Sequence, residues 1–434
     1  MQRPAKPCPA LHGEVRADVV IIGAGYTGLS TALSMAVAGA DVVVLERDFA
    51  GAGASGRNAG HLTPTIGKDL PTLLKVFGSE RAARLVGFAD DAVAYTEDLI
   101  ARHAIDCDYN ASGNVLAAVH AKQHHKLMRA AEVAAKLGAE VRFLDAAEMR
   151  ARGIPQAFLF GVLEGRGGTL HPGRYVTGLR DRALASGVRL YEDTAVTELR
   201  DGSPVVAETA NGRVVAEAAV LACNAYTPGL GRLAGKIVPL RVTLFETAAL
   251  SERQREEIAW HGREGIYTAH EVLESYHLTA AGTIVGGSKV VRFAFGKRLP
   301  PAFDRGALAA IEQAFRERFP MLSALPIKSF WGGWIALPLD FLPVLGRTGE
   351  GGNVHYALGY AGHGVAQATF MGTILAEQLA GRAHPAAAAL SRRVLSWPPE
   401  PFRWLGGRLL DGCLRLLDKR TDSLVRKAGR RSRA

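Results

Sequence analysis

The run Asp18-Val-Val-Ile-Ile-Gly23, with the glycine turn it leads into, limits what this chain can fold into more than any other stretch. The run is almost wholly apolar and ends in glycine, the pattern of a strand buried on both faces, as in parallel sheets covered by helices. Gly23-Ala-Gly25-Tyr-Thr-Gly28 follows, then a helix-like Leu29 to Ala38 closed by Gly39, then Asp41-Val-Val-Val-Leu45 ending at Glu46. Strand, turn, helix and strand take 29 residues, close to the ~30 of a βαβ unit. In such a unit the first glycine permits the tight turn. The second lets the backbone approach a pyrophosphate, and the third lets helix and strand pack closely. The unpaired N–H groups of the helix start favour an anion. Gly23, Gly25, Tyr26, Thr27 and Gly28 are therefore candidate dinucleotide contacts, with Glu46 and Arg47 at the end of the second strand. An acidic residue 18 positions beyond Gly28 suits ribose hydroxyls and disfavours a 2′-phosphate. The turn alone does not separate NAD from FAD, since both present an ADP half.

Composition excludes several classes. The 434 residues, 48% hydrophobic and 22% charged, describe a globular chain long enough for two or three domains. No apolar run approaches the ~18 residues of a membrane helix, and the first 17 residues hold no apolar leader core. Four dispersed cysteines (Cys8, Cys107, Cys223, Cys413) suggest neither a disulfide framework nor a zinc site, which points to a cytoplasmic protein without a metal. The net charge of +10 is concentrated. From 401 to 434 ten Lys/Arg face three Asp, a net +7, which leaves +3 for the rest and no case for nucleic acid.

The α/β alternation is left after the first unit and resumes near 170–222, with a hairpin across Asn211-Gly212. Strand-like sequence fills 236–295, and a long helix is expected from Val365 to Leu379. The expected fold is α/β, α+β overall: a discontinuous Rossmann-like domain (17–78, 150–230, 331–385) with an inserted antiparallel-sheet substrate domain (79–149, 231–330) and a basic tail (386–434).

The loop Gly53-Ala-Ser55-Gly-Arg57-Asn58-Ala59-Gly60 closely resembles the one after the second strand in the D-amino-acid oxidase/glycine oxidase/sarcosine oxidase superfamily, nearest its γ-glutamylputrescine oxidoreductase-like branch. Trp331-Gly-Gly333, Asp340-Phe-Leu-Pro343-Val-Leu-Gly346 and Gly359-Tyr-Ala-Gly362-His363-Gly364-Val365 are similar to three later motifs of that family, in order. The resemblance covers roughly 17–385. It implies FAD, with Ser55, Arg57, Asn58 and Gly60 around the pyrophosphate and ribityl chain and the Val196 backbone near the adenine. Gly333 and the turn Gly362, His363, Gly364 and Val365 would then lie beside the flavin. Ala59, Ala361 and Phe341 depart from frequent family residues. Some relatives carry covalent flavin on a histidine of the loop after the second strand or on a late cysteine; here Asn58 is the nearest match to that histidine and Cys413 lies in the tail, outside the fold, so a noncovalent cofactor is expected.

The implied reaction is oxidation of an amine or amino acid at a C–N bond. A neutral amine gives hydride to the flavin, and the imine hydrolyses. The partners are a small amine, of γ-glutamylputrescine-like or N-substituted amino-acid type, and O2 or another electron acceptor. His363 is the leading catalytic candidate and His61 the next. Tyr276 and His277 sit in one strand, so only one can face a pocket. Lys289 could assist oxygen, as in sarcosine-oxidase-like relatives, and Arg292 could hold a carboxylate. In the tail, Phe402, Leu405, Leu409, Cys413 and Leu416 recur at helical spacing among cations. That stripe suits docking on the body of the protein, or an anionic lipid surface. Rival readings are a membrane-associated dehydrogenase passing electrons to a quinone or carrier, and a flavin-bearing subunit without turnover.

Overall fold

The computed structural model describes residues 3–296, 298–300 and 304–431, the last three of these without their side chains. Two sheets of eight strands organise the chain. In the first, the central order is Val344–Thr348, Val354–Leu358, Gly212–Leu221, Gly13–Ile22, Val42–Leu45 and Arg189–Tyr191. All but the Val344–Thr348 edge strand are parallel to their neighbours in this series. The hairpin strands Val196–Arg200 and Val205–Thr209 extend it through antiparallel pairing on Gly212–Leu221. The Val42-Val-Val-Leu45 strand is wholly buried, as the sequence run predicts for a covered parallel sheet.

Helices Tyr26–Val37, Leu70–Arg102, Pro172–Ala185 and Gly364–Leu379 share the largest apolar core with this sheet. Tyr26–Val37 is buried over most of its circumference because the sheet lies on one side and Gly364–Leu379 on another. Ser30 Oγ donates to the Thr369 carbonyl (2.8 Å) across that helix pair. The pair comes this close because Gly372 has no Cβ; one placed there would lie 2.5 Å from Ser30 Cβ.

The second sheet runs Ile327–Leu337, Val238–Thr247, Ile284–Phe293, Glu274–Leu278, Gly265–Thr268, Asn114–Ala117, Gly161–Glu164 and Val141–Leu144. A two-stranded ribbon, His61–Leu62 with Gly168–Thr169, is a separate small sheet. These boundaries differ from those expected from sequence. The Leu70–Arg102 helix packs on the nucleotide sheet, because Leu85, Phe88, Ala89 and Val93 face that core. Conversely, Gly161–Glu164 and Ile327–Leu337 pair into the second sheet. Helix periodicity shows which face is apolar but not which sheet receives it.

The tail is a 30-residue helix, Phe402–Arg431, lying against the Ile284–Phe293 strand. Gly407 meets the Phe293 ring where a Cβ would be only 2.7 Å from it. The apolar stripe does not make this contact. Phe402, Leu405, Leu409 and Leu416 are exposed, and the buried residues include Asp418 and Asp422. Docking therefore uses the face opposite to the expected one.

Candidate functional site

Because the strands around Gly13–Ile22 are parallel, their C-terminal ends share one edge, and the connections leaving that edge build the candidate site. The Gly23 N–H donates to the Leu45 carbonyl (2.9 Å), tying the glycine turn to the second strand. A Cβ on Gly28 would fall on the Gly23 carbonyl oxygen, and one on Gly25 would lie 2.8 Å from Ser55 Oγ. Gly28 has no room for any other residue, and a side chain at Gly25 would have to displace the Ser55 hydroxyl that caps Tyr26. Glu46 accepts from the Ala24 N–H (2.9 Å) and the Asp48 N–H (3.1 Å). Burial raises its pKa, against those two backbone donors. Thr194 N–H donates to the Glu46 carbonyl (2.8 Å), which brings the segment ending at Val196 beside Glu46. Arg47 is exposed, its guanidinium 5.6 Å from the Tyr226 ring centroid.

The loop after the second strand is cross-braced. Asn58 Nδ2 donates to the Ser55 carbonyl (2.8 Å) and the Tyr26 hydroxyl (3.2 Å), while Asn58 Oδ1 accepts from the Gly60 N–H (2.8 Å). Ser55 Oγ accepts from the Tyr26 N–H (3.0 Å) at the helix start. Trp331 Nε1 donates to the Arg57 carbonyl (3.0 Å), and a Cβ placed on Gly333 would lie 3.6 Å from the Arg57 Cβ, so this loop also touches the second sheet.

At the same edge Gly359 to His363 leads into the Gly364–Leu379 helix, which begins at His363 without a side-chain cap and without an acid in its first turn. Burial brings His363 down to about 4, so it is neutral at pH 7, and its Nδ1 has no partner. His61 Nδ1 lies 3.0 Å from Asn114 Oδ1, and its ring meets His277 edge-on at 5.7 Å. Burial lowers both, His277 to about 3 with further repulsion from His61 and Arg263. His61 Nε2 and His277 Nδ1 are likewise without partners. His277 is on the wall of a cavity of about 1210 Å³, which opens beside Gly56 and Asn58 and carries Arg263 and Glu246 on the second-sheet side.

Two expected catalytic residues lie elsewhere. Tyr276 points to the opposite face of its strand, into the second-sheet core, where its hydroxyl donates to Glu274 (3.1 Å). The two-residue period admits one neighbour to the cavity, and that is His277. Lys289 is likewise removed from the cavity: its Nζ bonds Glu274 (2.7 Å) and Asp422 of the tail helix (2.8 Å). Arg318 and His270 complete this buried cluster. His270, Glu274 and Asp422 bring possible metal-ligand atoms together, but Lys289 and Arg318 already balance both carboxylates. Arg292 pairs with Asp304.

Sequence reasoning missed Asn114, which orients His61 and also donates to the Leu62 carbonyl (2.8 Å). It missed the Tyr267–Glu164 hydrogen bond as well, in which burial raises Glu164 to about 7. A polar residue within an apolar strand is the only sign of Asn114; nothing local marks the Tyr267–Glu164 pair, joined from distant strands.

The FAD dependent oxidoreductase (DAO) family profile matches residues 18–378. The chain belongs to that family. It is 33% identical over 383 residues to gamma-glutamylputrescine oxidoreductase of Escherichia coli (strain K12), covering 87% of each chain. It is 30% identical over 388 residues to a probable oxidoreductase, OrdL, of Rhizobium meliloti (strain 1021), again with 87% of each covered. In fold it is similar to glycine oxidase from Geobacillus kaustophilus, with a TM-score of 0.73 at 20% identity over 88% of this chain and 100% of that one. This family member is an FAD-dependent oxidoreductase acting on amines or amino acids. FAD fits the parallel-sheet edge. Gly25 leaves the helix start bare of a side chain, both helix starts lack first-turn acids, and Glu46 at the end of the second strand is where an acid would meet a ribose. When bound, FAD would supply the hydride acceptor, and the residues at this edge would hold it.

Proposed function

We propose that this protein oxidises the C–N bond of an extended amine whose far end carries charge, a γ-glutamylputrescine-like or N-substituted amino-acid substrate, with FAD held noncovalently. The observation that carries the reading is the cavity beside Gly56 and Asn58, because its second-sheet wall offers charges of both signs. Glu246, held by Thr283 Oγ1 (2.8 Å), suits an ammonium. Arg263, anchored through Nε on the Leu278 carbonyl (3.1 Å), suits a carboxylate. A volume of about 1210 Å³ has room for more than a glycine-sized substrate. The 33% identity to gamma-glutamylputrescine oxidoreductase supports the same substrate class.

In this reading His277 gives the cavity a neutral wall with His61 packed edge-on to it, since each is lowered by burial and keeps one ring nitrogen unpartnered. A neutral wall favours the neutral amine, the form with a lone pair to drive hydride loss. His363, neutral at the start of the Gly364–Leu379 helix, serves the flavin side. Cys413 is exposed on the tail helix, which packs on the Ile284–Phe293 strand of the second sheet, and this favours the noncovalent assignment.

Anaerobic mixing of the purified holoprotein with γ-glutamylputrescine, putrescine, sarcosine, glycine, proline and D-alanine tests the proposal. γ-Glutamylputrescine should bleach the flavin absorbance faster than glycine or D-alanine. Air is then admitted, and quick recovery identifies O2 as the acceptor. A flavin that stays oxidised with every amine overturns the substrate class.

A further inference from the structure

The tail helix separates its charges by side. At 100° per residue, Asp411, Asp418 and Asp422 share the face turned to the protein. Asp418 accepts from the Glu271 and Val272 N–H groups (2.8 and 2.9 Å), and Asp422 is held by Lys289 and Arg318. Roughly opposite lie Phe402, Leu405, Leu409, Cys413 and Leu416, within an arc of about 80°. They face water: Phe402 is 66% and Leu409 71% exposed. Six of the twelve large exposed hydrophobic side chains among the described residues belong to this one helix. The outward cations are Arg408, Lys419, Arg420 and Lys427, and none forms an ion pair among the described residues. Asp418 and Asp422 are held against the body and Asp411 pairs with Arg415 on that same side of the helix, so the outward face is apolar and carries cations without an acid.

We propose that this face lies on an anionic lipid surface, with the leucine stripe at the headgroup–acyl boundary and the cations over lipid phosphates. The helix is ~45 Å long at 1.5 Å per residue, enough to lie along a membrane. No helix among the described residues is long and apolar enough to cross one. Charge decides the occupant. A second copy would set the same unbalanced cations against one another, whereas anionic lipid complements both features of the face. The inference is independent of the substrate proposed above, because no residue of the flavin edge or the cavity enters it.

The test is flotation of the full-length holoprotein with vesicles of phosphatidylglycerol and phosphatidylcholine (1:1) against vesicles of phosphatidylcholine alone. Association with the anionic vesicles is expected, at least tenfold weaker in 500 mM than in 50 mM KCl. The double variant Leu405→Glu/Leu409→Glu, at water-facing positions, should keep its FAD content and Tm and lose at least tenfold in vesicle binding. An environment-sensitive fluorophore on Cys413, with Cys8 and Cys223 replaced by serine, should shift to the blue on the anionic vesicles only. No association, association unchanged by the double variant, or no shift at Cys413 would overturn the proposal. So would a dimer in lipid-free solution that the double variant dissociates, since the face would then cover a second copy.

Discussion

Replacing Glu274 by glutamine keeps the shape of the side chain and removes the charge that Arg318 and Lys289 share. Arg318 grips this carboxylate with two bonds, 2.9 and 3.0 Å, and Lys289 adds a third at 2.7 Å. Burial alone would raise the pKa of Glu274, but Arg318, Lys289 and His270 outweigh it and bring it to about 2, against an ordinary 4.5. That difference corresponds to about 3 kcal/mol of preference for the ionised form in the fold. Breaking a buried pair from one side costs about 3–5 kcal/mol, because the remaining charge is left unbalanced. The two routes agree, so Glu274→Gln should lower the urea-unfolding free energy by about 3 kcal/mol. Adding Lys289→Met should return part of that loss, since one surplus cation is removed. The sign in pH also follows. A carboxyl lowered in the fold contributes above 4.5 and loses its contribution as pH falls toward 2. Wild type and Glu274→Gln should therefore converge in that window. A loss below about 1 kcal/mol at pH 7, or a gap that persists unchanged at pH 2.5, would refute the reasoning.

Four further outcomes are expected. Gly28→Ala must push the helix start off the Gly23 carbonyl and should abolish FAD co-purification, read by flavin absorbance per protein, while Gly87→Ala, with open space around it inside a helix, should stabilise by about 0.5–1 kcal/mol. His277, neutral in the fold down to about 3, must be matched against an unfolded histidine that protonates below 6.5. Stability should thus fall with pH through that window, and at pH 5 wild type should lose about 2 kcal/mol more than His277→Gln, measured by urea unfolding at pH 7.5 and 5. Arg263→Leu should raise KM at least tenfold for a carboxylate-bearing amine and change KM for putrescine less than threefold, read in steady-state kinetics.

The one-dimensional pattern was enough wherever a local constraint acts alone. A buried apolar strand, glycines where no Cβ fits and an acid at the end of the next strand specify the nucleotide half within a single βαβ unit, and Gly23, Gly25, Gly28 and Glu46 occupy the places that pattern requires. The later motifs could be read for the same reason: the turn Gly362-His363-Gly364 begins a helix beside the first one, whichever residues surround it. Choices between two faces were not legible. Period two left Tyr276 and His277 equivalent until the sheet acquired a core on one side and a cavity on the other. Lys289 had no marked partner until the tail helix, more than 130 residues later, delivered Asp422 to it. The tail stripe read as a docking face because apolar residues usually pack inward, yet buried acids meeting buried cations turned it to water. Sequence encodes which side chains share a face; only the tertiary fold supplies the charge or apolar surface that each face meets.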